Sequence, residues 1–567
     1  MTKSKKGRPK SRAENIDFYG RLAAGRTVME QKKVLLRISN LKQYFPLKKT
    51  SFKDKETLYV KANDGISLEI YEGETFGLVG ESGCGKSTFG RTLLQLYHQT
   101  DGKTMYYGRS LDDLAPRYVQ DILKNLPQRK TEMEKLREKY AKLDAEYQTL
   151  SEEEKIYRHD ERELAKKEAD DAFLDIVQLI GGLLISDDLE AVSALFMEGY
   201  RIAAEIRDKR GELSELQLDA DVFADAVKQR DKSGKDASSQ KRRLRELQAR
   251  MEGKKAEIRE REKALGEKKF AIETLREQHR DDPQYKEYDH YRDDGIDLAK
   301  LNYREMRMLR KDLQLIFQDP YSSLNPRMTV GQIIGEGLLA HRFYKKDDDR
   351  MQNYVMKVME ECGLAPYMLH RYPHQFSGGQ RQRIGIARSL ALNPKFVVCD
   401  EAVSALDVSI QSQVINLLLD LKEKEHLTYL FISHDLSVVK YISDRIGVMY
   451  LGVIVELAPA ADIFAHPRHP YTEALLSAIP TTDQGEKKET ILLTGDIPSP
   501  VKPPKGCKFH TRCPYATQIC KEATPSLLEV SPGHFVACHH RSDPDVLAMS
   551  RKVSVQNQGK SRRKEEE

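Results

Sequence analysis

Two hydrophobic periods alternate along the chain. From residue 28 to 112 and again from 294 to 465, short apolar runs such as Thr75-Phe-Gly-Leu-Val79 and Phe396-Val-Val-Cys399 are interleaved with helical patterns. That alternation predicts an α/β domain on a mainly parallel sheet. Between the two parts the spacing changes to one face of a helix. Met133, Leu136, Tyr140, Leu143, Tyr147 and Leu150 form a first seam; Leu244, Leu247, Met251, Ile258, Leu265, Ile272 and Leu275 form a weaker second one. An apolar seam of this kind is satisfied by a partner helix. The pattern therefore predicts an antiparallel coiled-coil hairpin over 113–293, its arms about 45 residues long and roughly 65–70 Å at 1.5 Å per residue. Ala172–Val227, richer in apolar residues, reads as a small helical tip. Pro127 and Pro283 bracket the arms, and the polar run Ser233–Gln240 precedes the second.

Charge supports this division. Asp, Glu, Lys and Arg make up 32% of the 567 residues, but between Leu111 and His290 they number 79 of 180, so the excess lies in the insertion. The signs nearly cancel, with a net charge of +5. This balance gives no footprint for nucleic acid, and none is expected as a partner. The longest apolar run, Ile176–Ile185, holds a glycine pair and is shorter than the roughly 18–20 residues of a membrane span. The basic start, MTKSKKGRPKSR, has no apolar stretch after it and does not read as a secretory signal. A cytosolic chain with seven reduced cysteines is expected. The expected segments are a basic extension (1–27), a first core part (28–112), the helical insertion (113–293), a second core part (294–465), a loop-rich domain with Cys motifs (466–545) and a disordered tail (546–567).

The chemistry concentrates in the core. Gly80-Glu-Ser82-Gly83-Cys-Gly85-Lys86-Ser87-Thr88 follows a strand and opens a helical pattern. Glycines at this spacing let successive amides curl around phosphate oxygens, with the helix N-terminus adding a favourable field. Lys86 would reach the β- and γ-phosphates, and Ser87 would hold magnesium. The apolar run ending in Asp400-Glu401 suits a magnesium ligand followed by a residue that polarises attacking water.

With these motifs the chain resembles the ATP-binding-cassette (ABC) ATPases. Phe376-Ser377-Gly378-Gly379-Gln380 is similar to their signature, Ser404-Ala-Leu-Asp407 to their D-loop, Ile432-Ser-His434-Asp to their switch histidine, and Phe317-Gln318-Asp to their Q-loop, all in the family's order. The resemblance implies a P-loop fold, ATP and Mg²⁺ as cofactors, and a head-to-tail dimer in which Ser377 and Gly379 close over the partner's nucleotide. It implies that His434 contacts the γ-phosphate, that Gln318 senses it beside magnesium, and that Tyr44 or Phe45 stacks on adenine.

A narrower likeness concerns Gln318-Asp-Pro-Tyr-Ser-Ser-Leu-Asn-Pro-Arg327, His466-Pro-Arg-His-Pro-Tyr471 and Gly506-Cys507-Lys-Phe-His-Thr-Arg-Cys513. These resemble the ATPases of bacterial oligopeptide, dipeptide and nickel importers, and Tyr44-Phe45-Pro46 resembles the second of their two unlike ATPases. The implied partners are a non-identical second ATPase, two membrane-spanning permease subunits and, indirectly, an extracellular peptide-binding protein. The implied location is the cytoplasmic face of the bacterial membrane. The insertion departs from that family, and a further protein partner on it is expected.

Cys507, Cys513, Cys520 and Cys538 are spaced C-x5-C-x6-C-x17-C. Four clustered cysteines in a reducing compartment favour metal over disulfide, but the spacing fits neither short zinc motifs nor ferredoxin runs. The family resemblance implies a 4Fe–4S cluster; zinc and no metal are the other readings. His510, His534, His539 and His540 nearby read as exposed loop histidines, and Cys84, Cys362 and Cys399 as packing. A coiled-coil hairpin beside a phosphate loop also occurs in SMC-type DNA-repair ATPases. There, however, the arms leave after the Q-loop, and the Cys-containing tail is absent. A translation-factor ABC protein needs two cassettes, and only one phosphate loop is present.

Overall fold

The structure is a computed structural model describing residues 32–48, 57–346, 348–479 and 490–540. The expected extension 1–27 and tail 546–567 lie outside the described residues. The described residues form two compact units: one comprises those up to Met105, Leu309–Leu338 and those from Arg350 onward, the other those within Tyr106–Met308 and Leu339–Asp349.

The first unit begins with β1 (Val34–Pro46), antiparallel to β2 (Tyr59–Tyr71) from Val34 opposite Tyr71 to Pro46 opposite Tyr59. β3 (Thr75–Val79) follows and is buried along its whole length, as expected of a central strand covered on both faces. Helix α1 (Lys86–Leu93) and strand β4 (Asp101–Tyr106) complete this stretch, with β4 on the other edge of β1.

The second unit is helical, but its helices pair differently from the expected two-arm hairpin. It holds two hairpins, α2 (Leu126–Thr149) with α3 (Glu152–Ile180), and α4 (Leu189–Lys232) with α5 (Ser238–His279). The first seam is thus covered by α3 rather than by the second seam. The reason is local. Leu150 leaves the helix with extended backbone, and Ser151 caps α3 in a reciprocal box with Glu154, turning the chain back at once. Lys139–Glu168 (3.0 Å) and Arg162–Asp144 (2.6 Å) cross this pair, and Lys209–Glu257 (2.5 Å) and Lys254–Glu212 (2.9 Å) cross the other.

Ala172–Val227 is not a tip. Its apolar residues, among them Ile176, Val177, Ile180, Leu183 and Leu184, form a core with Val119, Leu123 and Tyr285, where the chain enters and leaves the hairpins. The unit also reaches beyond 113–293, because Tyr107 donates to Asp293 (2.7 Å) and the Arg117 amide to Glu305 (2.7 Å). Among the described residues no helix is long and apolar enough to cross a membrane.

Back in the first unit, β5 (Leu313–Ile316), α6 (Gly378–Leu390), β6 (Phe396–Asp400), α7 (Val408–Glu425), β7 (Thr428–Ile432), β8 (Arg445–Tyr450), β9 (Val453–Pro459), α8 (Pro470–Ser477), β10 (Leu528–Ser531) and β11 (His534–Val536) follow. Among the described residues the large sheet runs β10-β11-β9-β8-β3-β7-β6-β5. β5, β6, β7, β3 and β8 are parallel, while β9 and β11 add antiparallel edges. The C-terminal strands thus extend the sheet that carries β3.

Candidate functional site

β3 delivers the chain to Gly80, and α1 starts at Lys86. In the turn between them φ is positive at Gly80, Gly83 and Gly85. Gly85 shows why the spacing demands glycine: a Cβ there would lie 2.1 Å from the Ala62 carbonyl, at φ 107°. The turn therefore folds tightly beside β2 and aims a helix N-terminus outward, an arrangement suited to anions. Ser82, Gly83, Gly85, Lys86, Ser87 and Thr88 line one side of a cavity of about 350 Å³, with Phe45, Lys61, Gln318, Glu401 and Gly452 on the rest of its wall.

Charge is arranged around this cavity. Lys86 donates to the carbonyls of Gly80 (2.7 Å) and Glu81 (3.1 Å). The Ser87 hydroxyl donates to Asp400 Oδ1 at 2.6 Å, and Arg91 to Oδ2 at 3.2 Å. Asp400, at the buried end of β6, and Ser87 thus offer adjacent oxygens, the donors that Mg²⁺ prefers. Glu401 follows with φ +48°, a conformation uncommon outside glycine. Its carboxylate accepts from Gln318 Nε2 at 2.7 Å, and its other oxygen lies 3.5 Å from His434 Nδ1. Gln318, Glu401 and His434, far apart in sequence, are thus brought together.

The other expected residues stand apart from this cavity. Ser377 caps α6 in a box with Gln380, and Gly379 packs against Ile410. Asp407 precedes α7. None of these, nor Gly378, lines the cavity of their own chain. Of the two aromatic candidates, Phe45 lines the cavity and meets Tyr97 edge-on at 5.3 Å, whereas Tyr44 turns its hydroxyl to Asp64.

Several partners escaped the sequence reading. Arg381 stacks on Tyr321 at 3.9 Å, and Arg388 donates to the Ser323 carbonyl at 2.8 Å, so α6 holds the segment after Gln318. Arg512, from the C-terminal region, pairs with Glu81 of the phosphate turn through two bonds, 2.7 and 3.0 Å. Only their reciprocal charge could have signalled this, and a sequence separation of 431 conceals it.

In that region Cys507, Cys513, Cys520 and Cys538 are free thiols. Burial pushes Cys513 up to about 12, and the thiols of Cys538, Cys507 and Cys520 act in the same direction. Among the described residues, however, no three His, Cys, Asp or Glu side chains gather as a group that could hold a metal ion. His534 departs from its expected exposure. It is buried, and its Nε2 lies 2.7 Å from Glu456, a fully buried carboxylate that needs such a partner. Cys84, Cys362 and Cys399 are buried.

A glycine-rich turn between a parallel strand and a helix, facing a carboxylate pair two strands away, defines a P-loop nucleotide-binding cassette. Residues 63–280 and 284–404, more than half of the chain, match the ABC transporter family, and residues 455–520 match the oligopeptide/dipeptide transporter C-terminal region. A peptide import ATP-binding protein of Brucella ovis is 56% identical over 245 residues, 43% of this chain and 77% of its own length. The oligopeptide transport ATP-binding protein AppF of Bacillus subtilis is 54% identical over 248 residues, 43% and 75% of the two chains. YkfD of the same organism, also named for oligopeptide transport, is 55% identical over 247 residues, again 43% and 75%. The chain belongs to the ABC transporter family and is an ATPase of it.

Proposed function

We propose that this chain is the ATP-hydrolysing motor of an importer for oligopeptides or dipeptides, bound to two permease subunits at the cytoplasmic face of the bacterial membrane. The observation that carries the reading is the cavity itself. Gln318 and Glu401 line it beside the phosphate turn, with His434 3.5 Å from Glu401, while Ser377, Gly378, Gly379 and Gln380 do not line it. A site half-lined in this way is completed by a second cassette, here a non-identical ATPase. The C-terminal transporter region and the relatives named for peptide import support the substrate class.

In this reading Lys86 and the turn amides hold the phosphates, and Phe45 stacks on adenine. Ser87, Gln318 and Asp400 would hold magnesium, which neutralises charge on the transferred phosphoryl group. Glu401 positions and deprotonates the attacking water, and His434 contacts the γ-phosphate from the other side of that carboxylate. Asp407 and the signature serve the partner's site. A structural 4Fe–4S cluster on Cys507, Cys513, Cys520 and Cys538 rests on the resemblance of this Cys motif to that of the peptide importers, since such a cluster is ligated by four thiolates. Iron and acid-labile sulfide in anaerobically prepared protein would test this, and stoichiometric zinc without iron would replace it. The helical unit carries none of the ATPase motifs and is assigned to partner docking or regulation of assembly.

The decisive experiment reconstitutes the chain with its co-encoded permeases and receptor in lipid. Peptide-loaded receptor should stimulate ATP hydrolysis several-fold. Hydrolysis indifferent to peptide but raised by DNA would instead support the SMC-type reading.

A further inference from the structure

We propose that the Cys507–Cys513 loop clamps the phosphate turn, and that Arg512 is a positioning residue for ATP binding. The inference rests on the ATPase reading of that turn. Arg512 directs two nitrogens at the two carboxylate oxygens of Glu81, 2.7 and 3.0 Å away. This fork-to-fork geometry fixes direction as well as distance, and a lysine cannot reproduce it. The Arg512 side chain is 7% exposed and that of Glu81 24%, so solvent screens the pair less than it would a surface pair.

Glu81 is also a structural member of the turn. Its amide donates to the Tyr471 hydroxyl (2.9 Å), and its carbonyl accepts from Lys86 (3.1 Å). A side chain held at both oxygens therefore limits how the Glu81 peptide groups can rotate beside the phosphate cradle. The rest of the loop is anchored as firmly. Phe509 is wholly buried, with its ring 5.2 Å from Tyr450 and 5.4 Å from Tyr471. Lys508 donates to Asp64 (2.8 Å) and to the Leu451 carbonyl (3.1 Å), and Asp64 also accepts from Tyr44. Within seven residues the loop thus reaches both the phosphate turn and the β1–β2 wall. Among the described residues, its bonds to the turn come from Arg512.

A loop that only stabilised the fold would change melting and leave affinity alone, so affinity is the readout. In the full chain, titration with Mg-ATP should show about tenfold weaker binding for Arg512→Ala. Arg512→Lys should recover part of the loss, and Glu81→Gln should match the alanine variant. The double variant should bind no more weakly than either single one, because both remove the same contact. In the assembled transporter the loss should raise KM more than it lowers kcat. Iron, zinc and free-thiol content should be the same in Arg512→Ala as in the unmodified chain, which separates the clamp from whatever the cysteines hold. Wild-type affinity in a folded Arg512→Ala, or additive losses in the double variant, would overturn the clamp. Should Arg512→Ala fail to fold, Glu81→Gln decides alone: unaltered affinity refutes the proposal. Failure of the unmodified chain to bind ATP would overturn the ATPase reading, and the clamp with it. Unmodified binding with indifferent variants overturns the clamp only.

Discussion

Replacing Phe45 by alanine should remove adenine recognition and leave phosphate recognition intact. Phe45 lines the nucleotide cavity together with Ala62, Lys86 and Gly452, while Tyr44 is turned to Asp64. Stacking of a base on an aromatic ring is worth about 1–3 kcal/mol. At 1.4 kcal/mol per tenfold, that is roughly a 5- to 150-fold loss of ATP affinity. Phe45 also packs edge-on against Tyr97, a contact worth about 0.5–1.5 kcal/mol, so some general destabilisation will accompany the change. Calorimetric titration with Mg-ATP and, separately, with inorganic tripolyphosphate removes that complication. Disorder of the wall weakens both ligands, whereas loss of the stack weakens ATP alone. The ratio of the two affinities should therefore collapse in Phe45→Ala and hold in Tyr44→Ala. The reverse pattern would show that the stacking ring is Tyr44 and that the cavity wall has been misread.

Three further outcomes follow from the same geometry. Glu401→Gln should retain ATP yet slow hydrolysis about 10²–10³-fold in the assembled transporter, and near-normal phosphate release would exclude Glu401 as the base. Met251→Ala, in the buried seam between α4 and α5, should cost about 2–5 kcal/mol locally. It should open residues 233–237 to limited proteolysis without changing ATP affinity; protection equal to the unmodified chain would refute that packing. Burial pushes His469 down to about 4, and its Nδ1 accepts the Tyr471 amide at 3.1 Å, capping α8. The unfolded imidazole takes its proton near 6.5, so this contribution to stability is complete above that pH and is lost as pH falls from about 6.5 towards 4, some 3 kcal/mol in all. Thermal melting across that window should flatten in His469→Asn, which keeps a capping acceptor without the titration; an unchanged slope would assign the effect elsewhere.

What could be read in advance depended on how local the governing chemistry is. The phosphate turn was legible because a backbone that cradles phosphate must be glycine-rich at fixed spacing, and Gly85 against the Ala62 carbonyl shows that constraint at work. The carboxylates at the end of β6 were legible because a strand buried on both faces admits charge only at its end. Helical content in the insertion was legible from period, but partner choice was not. Two seams suggest one pair, and the Ser151–Glu154 box that turns the chain back is four residues in a long charged run. Pairings such as Arg512–Glu81 and His534–Glu456 carry no local signal, since each residue alone reads as surface. They arise only because β9 and β11 bring the tail alongside the sheet.

The connection at residues 341–349 changes what kind of object the α4–α5 hairpin is. Arg342, Lys345 and Asp349 meet Glu215, Asp219 and Gln229 of α4. Glu215 lies about 40 Å along the helix from Leu189, at 1.5 Å per residue. A rod built in at its base and gripped again at that height cannot swing freely as an antenna does. Sideways movement of the grip must appear as bending of the rod, and its stiffness then returns a restoring force to the connection. Each exposed pair contributes little, about 0–1 kcal/mol, and weakens as salt rises. The hairpin is therefore held at a second height as well as at its base, by contacts that weaken as ionic strength rises.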